Sequence, residues 1–221
     1  MTKLYKKLLN KNIRFNHVCE VGVYHPEYSN IIDFIREGIK TTLVEADPES
    51  VKKIRNFFTG DNVQIFPVAV WDYDGVISFS KAKASTFVSS LSQSPALVND
   101  KYEIKESETF EAECRQFSSI DDGTIDLLSV DIEGAEWYVL KTILSRPKII
   151  SIETHGKYYT NPFINQILQW MDEHQYVLWY KDRSDSVFVR SDIFKPGLSD
   201  KLSTFFADCS LRWKRLKKIF K

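Results

Sequence analysis

Two rhythms of hydrophobic and polar positions follow one another along this chain. Short, nearly continuous apolar runs occupy residues 17–22, 41–45, 63–66, 125–130 and 148–153, the length and character of buried strands. Between them, apolar residues recur at helical spacing. A helix is predicted over 27–37 with Gly38 as its stop, and another over 48–58, capped by Asp47 with Pro48 at its first position. A third carries Ala135, Val139 and Leu140 on one side and stops at Arg146-Pro147. A fourth spans 162–174, with Ile164, Ile167, Leu168 and Met171 inward. Strand and helix alternate through tight connections, which predicts a parallel sheet wound with right-handed crossovers. Strands at 176–180 and 186–190 read as an antiparallel pair. Residues 67–71 turn through Asp72-Tyr-Asp-Gly75, a hairpin signal, into a strand at 76–79, and residues 110–117 alternate as a strand would.

The flanking pieces are less regular. Residues 2–12 form a basic amphipathic pattern with Leu4, Leu8 and Leu9 on one face, so an N-terminal helix is expected within 1–14. Residues 81–108 are polar and Ser-rich, without periodicity, and read as an insertion or lid over 81–109. A basic amphipathic tail, 205–221, carries Arg212, Lys214, Arg215, Lys217, Lys218 and Lys221 and could touch an anionic membrane surface or nucleic acid, or be a solvated helix face. No repeat or linker divides the chain, and 221 residues suit one domain with one substantial core.

Composition narrows the class. Lysine plus arginine and aspartate plus glutamate both total 30, so there is no general pull toward nucleic acid. The cysteines Cys19, Cys114 and Cys209 are scattered without metal spacing and read as reduced thiols, which places the protein in the cytoplasm. No apolar run reaches the roughly 18 residues that a membrane span needs.

The candidate chemistry lies where strands end. Glu20-Val-Gly22 closes the first strand and Glu45 closes the second, at the spacing where an acid grips both ribose hydroxyls of a bound nucleotide. Tyr24 and Pro26 stand where a dinucleotide-binding loop has further glycines, so a pyrophosphate has no cradle. A nucleoside without one, such as S-adenosylmethionine, fits better. Tyr24 beside Gly22, and Ala46 with Asp47 beside Glu45, extend this cofactor set. Residues Ala69, Val70 and Trp71 could furnish an adenine slot, or could equally be a core strand.

Asp131 and Glu133 end the fourth long run, and Glu153 and His155 the fifth. Each pair points to one face if strand geometry persists. Asp131, Glu153 and His155 are the catalytic candidates: one could accept a hydroxyl proton, or the three could hold a hard divalent cation. Ser85 and Thr86 in the insertion, Glu133, and Lys157, Tyr158 and Tyr159 after the fifth strand are candidate substrate contacts, of a composition that suits a carbohydrate.

These residues resemble the FkbM-type S-adenosylmethionine-dependent methyltransferases. The resemblance rests on Val18-Cys-Glu-Val-Gly22, Leu43-Val-Glu-Ala-Asp-Pro48, Val68-Ala-Val70 with Asp74-Gly75, Asp126-Leu-Leu-Ser-Val-Asp-Ile-Glu-Gly-Ala-Glu136 and Ser151-Ile-Glu-Thr-His155. It implies a Rossmann-like α/β fold, with a seven-stranded, mostly parallel sheet, an antiparallel last strand, and helices on both faces. It also implies O-methylation, commonly of sugar hydroxyls, with S-adenosylhomocysteine as product. Carried over, Glu20 and Gly22 would line the methionine part of the cofactor, Glu45 the ribose, and Asp131 the space between cofactor and acceptor. Tyr24-His25-Pro26 departs from the glycine-containing loop usual there. The rival readings are a nicotinamide-dependent oxidoreductase on the same kind of sheet and a non-catalytic binding module.

Overall fold

The computed structural model describes residues 1–82, 86–91, 93–99, 102–103 and 105–219. The strands are β1 (His17–Val21), β2 (Lys40–Val44), β3 (Val63–Phe66), β4 (Ala69–Val70), β5 (Gly75–Lys81), β6 (Thr86–Val88), β7 (Thr109–Arg115), β8 (Leu127–Val130), β9 (Ile149–Glu153), β10 (Tyr176–Asp182) and β11 (Asp185–Arg190). The helices are α1 (Lys3–Leu8), α2 (Ile32–Arg36), α3 (Pro48–Phe57), α4 (Pro95–Asn99), α5 (Glu136–Thr142), α6 (Ile164–Glu173) and α7 (Leu198–Ile219).

Seven strands form one sheet in the order β3-β2-β1-β8-β9-β11-β10. Strands β3, β2, β1, β8 and β9 are parallel, and β11 runs antiparallel to both of its neighbours. Every residue of β1, β8 and β9 is buried. The cause is alternation, because successive side chains leave the sheet on opposite faces and both faces are covered. Cys19, Val21, Leu128, Val130, Ile150 and Ile152 meet Val139 and Leu140 of α5 and Ile167 and Met171 of α6. On the other face, Val18, Leu127 and Ile149 meet Leu4 and Leu8 of α1, Phe34 and Ile35 of α2, and Ile54 of α3. Each fully buried aliphatic side chain of this kind contributes about 1.5–3 kcal/mol.

Several boundaries differ from the sequence expectation. Helix α2 starts only at Ile32, because the Ser29 hydroxyl and Asn30 N–H are drawn to the Glu20 carboxylate and hold the chain out of a helical path. Helix α5 ends before Arg146-Pro147, since the Leu144 and Ser145 N–H groups donate to Asp121 at 2.8 and 2.7 Å. In α6 the inward stripe is Ile167, Trp170 and Met171, which rotates Leu168 out to 47% exposure; Leu9 after α1 is exposed as well. Asp47 caps α3 as expected, accepting from Glu49 N–H at 3.1 Å.

The stretch read as a hairpin at 72–75 is not one. Strand β7 inserts between β4 and β5 in a second, four-stranded sheet ordered β4-β7-β5-β6. Asp72 and Asp74 hold the wide turn by accepting from Gln116, the former through its carbonyl and the latter through its side chain. The aperiodic insertion contributes β6 and α4, whose Phe87 and Ala96 form a small apolar cluster with Ala82. Ala69, Val70, Phe79, Thr86 and Val88 of this second sheet line one cavity together with residues at the carboxyl ends of β1, β2 and β8.

Gly22 joins the two central strands to the site. Its φ is +89°, and a Cβ there would lie 1.8 Å from the Asp131 carbonyl oxygen. Close approach between backbone segments, rather than room for a ligand, is what excludes a side chain. Gly22→Ala is expected to cost at least about 2 kcal/mol, from the left-handed strain and the displaced backbone, read by urea unfolding.

Candidate active site

A cavity of about 770 Å³ opens at the carboxyl ends of β1, β2 and β8. This is where strand ends and their following turns diverge in a wound α/β sheet, leaving room for a ligand. Of the residues predicted to bind a cofactor, Glu20, Gly22, Tyr24, Glu45, Ala46, Ala69, Val70 and Asp131 line it. Of the predicted substrate contacts, Thr86 and Glu133 line it. Asp47 turns away to cap α3, and Trp71 packs on Tyr138 with ring centroids 4.1 Å apart, so neither reaches the cavity wall. Lys157, Tyr158 and Tyr159 also lie outside it, and Ser85 falls outside the described residues.

The acids are held by the local fold. Glu45 is buried at the end of β2, with Oε2 accepting Val23 N–H at 2.8 Å and Oε1 accepting Asp47 N–H at 2.7 Å. The residue nonetheless lines the cavity. Glu20 accepts from Asn30 N–H at 2.9 Å and from the Ser29 hydroxyl. Burial pushes both carboxyls up to about 7.

Around Asp131 the structure assembles a group of acids. Asp131 is half-buried and follows β8; Glu153 is buried at the end of the adjacent strand β9; Glu136 is fully buried at the start of α5. One carboxylate oxygen from each lies within 4.8 Å of the others. Glu136 is oriented by Ile132 N–H at 2.9 Å, Gly134 N–H at 3.1 Å and the Asn161 amide. Asp185 of β11 sits in register with Glu153. Burial first, then mutual repulsion, raises the carboxyls of Asp131, Glu153 and Asp185; burial raises Glu136 against the pull of its donors.

His155 does not join this group. Strand geometry ends at Glu153, and the next residues turn back into a bridge with Thr160. The His155 Nδ1 pairs with the Thr154 hydroxyl at 2.9 Å, and burial with the nearby Lys181 and Arg215 charges lowers its pKa to about 4. The persistence expected after Asp131 also fails, because Glu133 adopts φ +59°. Sequence reading passed over Glu136 although it lies within the most specific run; an acid at the first helical position was its signal. Asp185 has no local signal, since only the insertion of β11 beside β9 brings it in.

A pH dependence follows. Glu20 and Glu45 bind protons in the folded chain up to about pH 7, whereas ordinary carboxyls release them near 4.5. Their stabilisation is therefore complete below 4.5 and is lost as pH rises toward and past 7, by up to about 3 kcal/mol each. His155 acts oppositely, since its depressed pKa removes stability as pH falls from 6.5 toward 4. Two such losses outweigh the single gain from His155, so the melting temperature of the ligand-free protein is expected to peak near about pH 4.5 and to fall as pH rises to about 7. Glu45→Gln should flatten the alkaline limb in a calorimetric pH series.

The strand order, with five parallel strands and an antiparallel strand inserted before the edge, defines a class I methyltransferase-like α/β fold. The methyltransferase FkbM domain model matches residues 20–178, and the chain belongs to that family of S-adenosylmethionine-dependent methyltransferases. Solved structures similar to it include the methyltransferase domain of bacterial CtHen1, at 9% identity over 84% of this chain and 94% of that one, with a TM-score of 0.46. Cofactor-bound Rv0187 from MTB is 14% identical over 86% and 81%, with a TM-score of 0.47. A SAM-dependent methyltransferase from Aquifex aeolicus is 11% identical over 85% and 88%, with a TM-score of 0.43. No curated protein matches the sequence significantly.

Proposed function

We propose that the chain transfers the methyl group of S-adenosylmethionine to a hydroxyl, on a sugar of a glycan, glycolipid or glycosylated product. One observation carries the cofactor assignment: Glu45, fixed by two backbone N–H groups at the end of β2, lines the same cavity as Glu20 and Asp131. In this reading Glu20, Gly22 and Tyr24 receive the methionine portion, Glu45 and Ala46 the ribose, and Ala69 and Val70 the base. The acceptor enters beside Asp131 and Thr86, whose buried hydroxyl oxygen has no hydrogen-bond partner among the described residues.

S-adenosylmethionine, when bound, would supply an electrophilic methyl on sulfur, and in-line attack by the acceptor oxygen would break the carbon–sulfur bond and release neutral S-adenosylhomocysteine. The hydroxyl proton passes to Asp131 directly or through water. Its raised pKa suits it to hold that proton at neutral pH. Much of the rate would come from holding oxygen, methyl and sulfur in line. The sugar reading is supported by the aromatic group Tyr24, His25 and Tyr28 at the cavity, with successive centroids 4.4 and 6.1 Å apart, because such rings stack on sugar faces. The cysteines are free thiols, which supports a reducing compartment such as the cytoplasm.

Calorimetric titration with S-adenosylmethionine and S-adenosylhomocysteine tests the first half. Transfer of labelled methyl to a panel of glycosides and glycolipids tests the second. Micromolar cofactor binding followed by label on a sugar hydroxyl is the expected result. Absence of cofactor binding by folded protein would defeat the assignment, and label appearing only on amines or carboxylates would replace the acceptor.

A further inference from the structure

We propose that Asp131, Glu136 and Glu153 hold one hard divalent cation, Mg²⁺ or Mn²⁺, beside the cavity, which Asp131 lines. The binding stands by itself, while its use in catalysis rests on the methyl-transfer reading. Three oxygens within 4.8 Å of one another can share a single ion, since two metal–oxygen bonds of about 2.1–2.5 Å reach across about 4–5 Å. A second observation points the same way. Glu153 is 5% exposed, and among the described residues its Oε2 has no hydrogen-bond partner. The Tyr159 hydroxyl is fully buried, equally unpartnered, and close to the acids: a Cβ on Gly134 would lie 3.2 Å from it.

Charge balance adds to the argument. Among the described residues no lysine, arginine or histidine forms an ion pair with Asp131, Glu136, Glu153, Asp185 or Glu20. Buried carboxylates without a counter-charge are expensive, and a divalent cation neutralises two of them. The Ile132, Gly134 and Asn161 donors fix Glu136 as supporting hydrogen bonds fix a metal ligand. Asp131 alone of the three lines the cavity, so an ion held here would border the acceptor's space through it and would bind and acidify a hydroxyl.

The test uses chelator-treated, desalted full chain titrated with MnCl₂ alone, following free Mn²⁺ by electron paramagnetic resonance. One site is expected, weakened at least 10-fold in Glu153→Gln and in Asp131→Asn, with Mg²⁺ competing. No depletion of free Mn²⁺ up to millimolar concentration, or unchanged binding in folded variants, overturns the site. Cofactor calorimetry on the same treated protein keeps the two readings apart, because metal binding can fail while cofactor binding stands.

A different part of the molecule carries an independent inference: we infer that α7 lies on an anionic membrane surface. Its amphipathicity is inverted. The polar side faces the protein, through Asp200 with Lys7 at 3.3 Å, Asp208 with Lys181, and Arg215 donating to the Tyr159 carbonyl at 2.6 Å. The outward side exposes Leu198, Leu202, Phe205, Phe206 and Trp213, each more than half exposed, within an arc of about 100°. The exposed cations Lys201, Arg212 and Lys214 accompany this stripe, and the inward acids leave the outer charge positive. Apolar stripe, aromatics and flanking cations together match the interface of an anionic bilayer rather than a second copy, whose identical face would carry the same positive charge. Among the described residues no helix is long and apolar enough to cross a membrane, so α7 would lie in the interface.

Co-sedimentation with phosphatidylglycerol–phosphatidylcholine vesicles should recover the wild-type chain, with far less on phosphatidylcholine alone. The exposed pair Phe205→Ser with Phe206→Ser should lower recovery at least 10-fold without altering circular dichroism. Failure to bind the anionic vesicles, or binding unaffected by the pair, overturns the inference. A concentration-dependent dimer abolished by the pair, without vesicle binding, would assign the face to a second copy instead.

Discussion

Asp131→Asn is expected to lower methyl-transfer turnover by about 10²–10⁴-fold, the range supplied by a positioned proton acceptor. Cofactor affinity should stay within a few-fold of wild type, because the ribose and methionine contacts lie elsewhere in the cavity. Stability should not suffer. Asp131 is one of several acids crowded together and its carboxyl is raised by burial and by Glu136 and Glu20, so a neutral amide relieves repulsion. Melting should be equal or higher, most visibly at pH 8, where the wild-type group is ionised. Single-turnover rates with a labelled acceptor give the first quantity and calorimetry the others. Wild-type turnover in the variant would remove Asp131 from the chemistry. Lost turnover restored by excess Mn²⁺ would shift its role from base to metal ligand.

Glu45→Ala is expected to weaken S-adenosylhomocysteine binding by about 10²-fold, corresponding to roughly 3 kcal/mol from hydrogen bonds between a charged carboxylate and two ribose hydroxyls. The alanine also strands the Val23 and Asp47 N–H groups that Glu45 now satisfies, which costs stability at buried positions. Glu45→Gln separates the effects. It retains one acceptor oxygen, so only one of the two N–H groups keeps its partner while the other meets an amide donor; affinity should fall less than in the alanine variant, and stability should lie between that variant and wild type. Equal affinity in all three proteins would move the ribose away from β2 and leave Glu45 as a loop clasp only.

Much of this site was legible before any coordinates. Apolar runs ending in acids placed Glu20, Glu45, Asp131 and Glu153 at strand ends, and strand ends in a wound sheet converge on one edge. Those signals are local: strand length, period-two burial and helix caps such as Asp47 depend on neighbours a few residues away. Where the sequence reading went astray, the cause was non-local or lay past a strand's end. His155 was grouped with Glu153 by extending a strand that stops, and Trp71 was placed near a ligand although Tyr138 covers it.

The amino-acid sequence by itself determined the order of strands and helices, the resemblance to FkbM-type methyltransferases and the acids that end β1, β2, β8 and β9. Only the tertiary structure decided that Glu136 and Asp185 join Asp131 and Glu153, that β7 inserts between β4 and β5 in the sheet whose other strands line the cavity, and that α7 turns its apolar side outward. Each depends on which segments lie side by side after the chain has packed. Periodicity marks which side of an element is apolar, but the surface that side meets is set by register and crossover geometry between residues far apart in the chain.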